Sequence, residues 1–270
     1  MRSVLFCLCA LFALTLYSSA RPRPWQLTSQ AAQQVQRDPQ AIGILNQVVA
    51  AAGGATAIAA IQDFAATGQI TYYWGDAPVR GTVSVKGRGL SEFRLDATLP
   101  DGVHSAVIGA GSTFQRLPDG STSPLPSQNT VKAACLTLPI LQIPGALQDS
   151  SLSVTYIGLI EQDGQKVHQL RVQKIFSSGT DPLGARSEIS RTDFFVDPNS
   201  FYIVSTKDRA YRRDNGPGSA DHVMRFSNYQ AVSGLLVPLS ITELIGSQQT
   251  LSIQLNQVSF NTGLTDSSFE

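Results

Sequence analysis

The sequence predicts a mainly β fold with N-terminal helices: a large curved antiparallel sheet, or an unclosed β-barrel, with helices on its concave face. Three observations carry this. From Ala65 onward apolar and polar residues alternate with period two, in short runs divided by clusters of Gly, Pro, Asn and Asp. Helical spacing of apolar residues is confined to the start of the chain, at Ile42, Leu45, Val48 and Val49. The stretch Arg191 to Asp208 (RTDFFVDPNSFYIVSTKD) reads as two strands, Phe194 to Val196 and Phe201 to Val204, joined by a tight turn. In that turn Pro198 fixes φ at the second position, while Asp197 and Asn199 can bond their own backbone. The pattern amounts to about eleven or twelve strands. No period of roughly 20–50 residues recurs as a propeller or solenoid would require.

Taken in order, residues 1–20 read as a secretory signal peptide. Arg2 precedes the apolar run Val4 to Tyr17, and Ser18-Ser19-Ala20 supplies small residues ahead of Arg21. The run is too short for a membrane span, so no transmembrane segment is expected after cleavage. Residues 21–37 form an N-terminal arm without a clear period, of helical composition from Gln30, and residues 38–270 a single domain. Asp38 is placed as an N-cap with Pro39 at the first helical position, and Gly53-Gly54 ends that helix. A second short helix spans Ala55 to Ile61.

Then the strands begin. Ile70, Tyr72 and Trp74 alternate with Gln69, Thr71 and Tyr73; Val83 and Val85 follow, then Phe93 and Leu95, Val103 to Ile108 and Thr113 to Leu117. Asp119 to Thr130 is a polar loop. Val131 to Leu147 is strongly apolar but carries Pro139 and Pro144, which a regular helix or central strand excludes. It reads as a broken helix across the sheet, serving either as a core cover or as a lid. Leu152 to Tyr156 and Val167 to Ile175 resume the meander around Asp163-Gly164. Ser177 to Ser187 is a loop, as is Asp208 to Asp221. Val223 to Tyr229, Leu235 to Leu244 and Leu251 to Phe260 complete the sheet.

Composition excludes several classes. Twenty basic and twenty acidic residues balance, which gives no footprint for nucleic acid. Signal cleavage leaves Cys135 as the one cysteine, so no internal disulfide can form, and its Ala-Ala-Cys-Leu setting suits a buried thiol. No G-x-S-x-G, Ser-x-x-Lys, H-E-x-x-H or glycine-rich phosphate loop occurs. His104 and His168 fall in strands and His222 at a loop end, which assembles no metal site, and no cofactor is expected. Glu92, Asp96, Asp101, Glu161, Asp163 and Glu188 alternate with apolar residues or lie in turns, as a solvated face does. Arg209, Arg212 and Arg213 are either a soluble basic loop beside Asp208 and Asp214 or a grip for an anionic head group.

The C-terminal third carries a resemblance. The turn Asp197-Pro198-Asn199-Ser200, the segment Phe226-Ser227-Asn228-Tyr229, then Gly234-Leu235-Leu236-Val237-Pro238, and finally Asn261, Asp266 and Phe269 resemble the bacterial outer-membrane lipoprotein-sorting (LolA-like) families, mainly over residues 190–270. The resemblance implies an unclosed β-barrel plugged by helices. It further implies an exported, periplasmic or secreted, non-enzymatic protein that carries or senses a lipid or lipoprotein acyl chain. On that reading Tyr72, Trp74, Phe114, Leu141 and Phe201 are candidates for the ligand-binding lining. The alternative is an envelope interaction or scaffold module with a filled core, whose partner is another protein.

Overall fold

A computed structural model describes residues 34–73, 75–109, 111, 113–130, 137–211 and 218–270. Residues 1–20, expected as a signal peptide, the arm up to residue 33, Trp74, Cys135, Arg212 and Arg213 lie outside the described residues. The described residues belong to one compact unit, Ala32–Glu270. Among them are thirteen strands in a single sheet. The first six are β1 (Asp63–Tyr72), β2 (Val79–Arg88), β3 (Glu92–Leu99), β4 (Gly102–Ile108), β5 (Thr113–Arg116) and β6 (Thr122–Pro124). They are followed by β7 (Leu152–Gln162), β8 (Gln165–Lys174), β9 (Thr192–Val196), β10 (Ile203–Tyr211), β11 (Ser219–Val232), β12 (Leu235–Ile245) and β13 (Gln248–Phe260). The order across the sheet is β6-β5-β4-β3-β2-β1-β13-β12-β11-β10-β9-β8-β7, every neighbour antiparallel. The first and last strands do not pair with each other, so the sheet is not a closed barrel.

The period-two reading places the core. Ile70, Ile253, Ile241 and Phe226 stand directly opposite one another across β1, β13, β12 and β11, all buried. Onto this face pack α1 (Pro39–Ala51), α2 (Ala55–Ala59), a 3₁₀ turn at Pro139–Gln142 and α4 (Ile143–Gln148). Asp38 caps α1 by accepting the Gln40 amide at 2.8 Å. The buried stripe is Ala41, Ile44, Leu45, Val48 and Val49, with Ile42 only half-buried. It differs from the predicted stripe by a small rotation, because the spacing i, i+3, i+4, i+7, i+8 from Ala41 places five residues on one side.

Residues 34–38 are not helical. Arg37 forms a parallel bridge with Val154 at the edge of β7. Its guanidinium reaches the carbonyls of Ala146 at 2.7 Å and Leu147 at 2.6 Å, which lie in the last turn of α4 and lack helical partners.

Besides the 208–221 stretch, whose ends belong to β10 and β11, two loops read from sequence contain structure. The 119–130 stretch holds β6 and α3 (Ser127–Thr130), and the loop after β8 leads into α5 (Ala185–Ser190). Both are polar pieces whose order comes from tertiary contacts rather than an apolar stripe. The strand expected from Phe201 begins at Ile203: Phe201 has φ +58° and closes the Asp197 turn, its amide reaching the Asp197 carbonyl at 3.0 Å. Val131 to Leu147 is described from residue 137, as the 3₁₀ turn and α4. Among the described residues no helix is long and apolar enough to cross a membrane.

Candidate functional site

Strands β3–β4 and β10–β12 lie far apart in the sheet order, and at about 4.8 Å per step a flat sheet would separate β4 from β10 by some 34 Å. They nevertheless line one cavity of about 220 Å³, so the sheet curls around it. Asn129 of α3 bridges the curl. Its side-chain amide donates to the Tyr211 carbonyl at 2.9 Å and its oxygen accepts the Tyr211 amide at 2.8 Å, as a neighbouring strand would.

The walls are mostly apolar: Phe93, Ala106 and Ile108 on one side, Leu125, Ile189, Ala210 and Ile245 around the rest. Against this background stands a charged row. Asp208 on β10 faces His222 on β11, and Glu243 on β12 lies one diagonal away. His222 Nδ1 is 2.7 Å from Asp208 and Nε2 is 3.0 Å from Glu243. Burial alone would lower the pKa of the ring; hydrogen bonds and charge from the two carboxylates outweigh it and raise it to about 10. The ring is therefore an imidazolium that donates from both nitrogens, which leaves no lone pair for a metal. Glu243 also accepts from Thr250 Oγ1. Burial pushes Glu243 up, but His222 and the Thr250 hydroxyl hold it below the usual range. Tyr72 belongs to the same row, opposite Leu251, which itself faces Glu243. Burial, with the Glu243 charge second, raises its phenol to about 12.

An apolar cavity with a few convergent polar groups is what small-molecule sites look like. The wider hollow of about 370 Å³ between Thr67, Gln69, Ser84, Asp96 and Asn256 is a polar groove and lacks that contrast.

The structure scatters the residues singled out from sequence. Tyr72 is buried beside the charged row. Phe114 faces Val107 across β4–β5, on the opposite side of the sheet from Ala106 and Ile108, with Arg116 over its ring at 5.0 Å. Leu141 lines a separate hollow with Ile58, Phe64 and Pro144. Phe201 lines a third, of about 20 Å³, with Val48, Ile140 and Tyr229. Trp74 lies outside the described residues.

Sequence reading missed the charged row. His222 is inside β11 rather than at a loop end, and its partners are 14 and 21 residues away, joined to it only by strand register. Arg209, expected in a basic loop, lies in β10 with its guanidinium held by Ser219 and Asp221. The family-like motif residues have scaffold roles. Asp197 accepts the Ser200 amide at 2.7 Å, and Tyr229 donates its hydroxyl to the Ile203 carbonyl at 2.6 Å. Asn261 ties the Gln62 amide and the Ala60 carbonyl to the C-terminal tail.

No family model and no curated protein matches the sequence. Solved structures do match in fold. A LolA superfamily protein from Nitrosomonas europaea is similar with a TM-score of 0.52 and 13% identity, over 85% of this chain and 97% of that one. A DUF1329 family protein from Desulfovibrio piger is similar with a TM-score of 0.50 and 12% identity, over 87% of this chain and 98% of that one. At such identities the likeness is one of architecture, and the chain has the fold of the LolA superfamily.

Proposed function

We propose that the protein is an exported, non-enzymatic binding protein that shelters the hydrocarbon part of a lipid or lipoprotein in the cell envelope, in the periplasm or outside the cell. The observation that carries this reading is the cavity between β3–β4 and β10–β12, apolar on most of its wall and held open under a curled sheet. Its apolar lining includes Phe93, Ala106, Ile108, Leu125, Ile189 and Ile245, with Asp208, His222 and Glu243 among its polar residues. The shared LolA superfamily fold supports the reading. A neutral, environment-sensitive dye such as Nile red tests it: saturable binding at one site, weakened at least about ten-fold by Ile108→Asp, is expected, since a charge in an apolar cavity is costly. Dye binding that is absent, or unchanged in Ile108→Asp, contradicts it.

A second reading has its own observation. Beyond Val154 no described strand pairs with the outer edge of β7, and Ile157 and Leu159 there are 43% and 49% exposed. An open edge with apolar residues suits strand addition by a protein partner. Envelope-protein capture that depends on Ile157 and Leu159, together with a failure to bind the dye, would favour this scaffold role.

A further inference from the structure

We infer that the loop joining β8 to α5 docks on a phospholipid bilayer: Leu183 enters the hydrocarbon beneath the head groups while Lys174 and Arg186 meet lipid phosphates. The inference extends the carrier reading above to the surface from which a lipid is taken, and it is read out separately from the cavity.

Leu183 carries it. The residue is 85% exposed, whereas no other large apolar residue among the described ones exceeds 49%. A partly exposed leucine is ordinary on a protein surface; this one has almost no protein against it. Nor does it sit on a slack loop. Asp181, itself buried, accepts the Arg186 amide at 3.1 Å, the Ser187 amide at 2.8 Å and the Ser187 hydroxyl at 2.9 Å. Its own amide reaches the Ser177 carbonyl at 2.8 Å, and its carbonyl accepts the Gly184 amide at 3.1 Å. Gly184, with φ +69°, then turns the chain into α5. Leu183 therefore stands at the tip of a turn braced before and after it, which holds it away from the core.

Beside this tip the cations face outward and the carboxylates are occupied. Lys174 and Arg186 are exposed and lie 5.7 and 4.5 Å from the centre of the Phe176 ring. Among the described residues neither has a carboxylate at ion-pair distance. Of the acidic groups nearby, Asp181 is taken by the donors just named and Glu188 pairs with Arg191 at 2.9 Å. Asp149, whose charge reaches Lys174, accepts the Ser151 amide at 2.8 Å. An apolar tip flanked by an aromatic ring and long basic side chains fits a bilayer interface, where hydrocarbon takes the leucine and phosphate oxygens take the ammonium and guanidinium. A purely apolar protein groove would leave both cations without a counter-charge. The position fits a carrier as well, because α5 also brings Ile189 to the cavity wall.

The test is co-sedimentation of the secreted chain with vesicles of phosphatidylcholine and phosphatidylglycerol. Leu183→Asp should weaken vesicle binding at least about ten-fold. Lys174→Glu with Arg186→Glu should weaken it at least about three-fold, a difference that shrinks in high salt. Nile red binding should be unchanged in both variants, since none of the three residues lines the cavity. Leu183→Trp keeps an apolar tip and reports on it directly: on vesicles its emission should shift to the blue and be quenched by brominated lipid, beyond any change in the unaltered chain. Absence of vesicle binding overturns the inference, even where Leu183→Asp abolishes capture of an envelope protein. Vesicle binding unchanged in Leu183→Asp, or no added quenching in Leu183→Trp, overturns it as well. Vesicle binding through Leu183 by a chain that takes up no Nile red supports the docking inference while the carrier reading falls.

Discussion

Asp63 accepts four hydrogen bonds from the chain after β13: the Thr262 amide at 2.6 Å, the Thr262 hydroxyl at 2.8 Å, and the Gly263 and Leu264 amides at 3.0 and 3.1 Å. Burial raises the pKa of this carboxyl, and the four donors together pull it below its ordinary value. The folded pKa is depressed, so the stabilisation is present above the unfolded value and is lost as pH falls through the folded one. Replacing Asp63 by Asn sets an amide donor against backbone donors and should cost about 1–3 kcal/mol. Thermal melts from pH 7 to pH 2 check both points: the unaltered protein should lose stability in acid more steeply than Asp63→Asn. His222 titrates with the opposite sign. Its pKa is raised to about 10, so its contribution is full below the unfolded value near 6.5 and disappears as pH rises through 10. His222→Gln, which strands two carboxylates, should cost about 3 kcal/mol at pH 6, shrinking toward pH 10 in denaturant titrations. Neither residue announces itself in the sequence. Asp63 begins a strand almost two hundred positions before its donors, and His222 meets its carboxylates only through register.

Among the elements, α1 was the most legible. Asp38-Pro39 and Gly53-Gly54 mark both ends in a form that local chemistry alone dictates. Gly53 does more than end the helix. Its φ is +117°, a Cβ there would lie 2.3 Å from the Gly234 carbonyl oxygen, and the adjoining Ala52 carbonyl accepts the Leu236 amide at 3.0 Å. The helix end is thus pressed onto the β11–β12 turn. Gly53→Ala combines backbone strain with a clash and should lower stability by about 2 kcal/mol or more, seen as a shift of the denaturant midpoint with unchanged slope. Arg37 fastens the other end. Arg37→Ala should cost about 1–2 kcal/mol and speed amide exchange in α4 selectively, because that helix loses the donor to its last carbonyls. Short polar elements were not legible. Thr122–Pro124 lacks β-branched alternation, and Ala185–Ser190 lacks an apolar stripe. Their conformation is imposed by neighbours, as with Asn129 pairing to Tyr211.

Over the whole molecule, alternation at Ile70, Tyr72, Val83 and Val85 foretold a large antiparallel sheet with one buried face, and strand order followed the chain except where β1 meets β13. What alternation cannot carry is curvature. The curl that brings Phe93 and Ile108 near Asp208 and His222 follows from accumulated twist and from contacts between residues far apart in sequence. For this reason aromatic residues chosen by strand face, such as Phe114 and Phe201, were dispersed, while the cavity wall came from residues with no individual signal. The central claim is that this cavity holds a hydrocarbon chain. Native mass spectrometry of the chain purified from a membrane-containing host, followed by organic extraction, tests it most directly. The account predicts an added mass at near one ligand per chain, extractable as an amphiphile and missing from Phe93→Asp purified alongside. A bare protein mass, or an adduct kept in full by a folded Phe93→Asp, would contradict it.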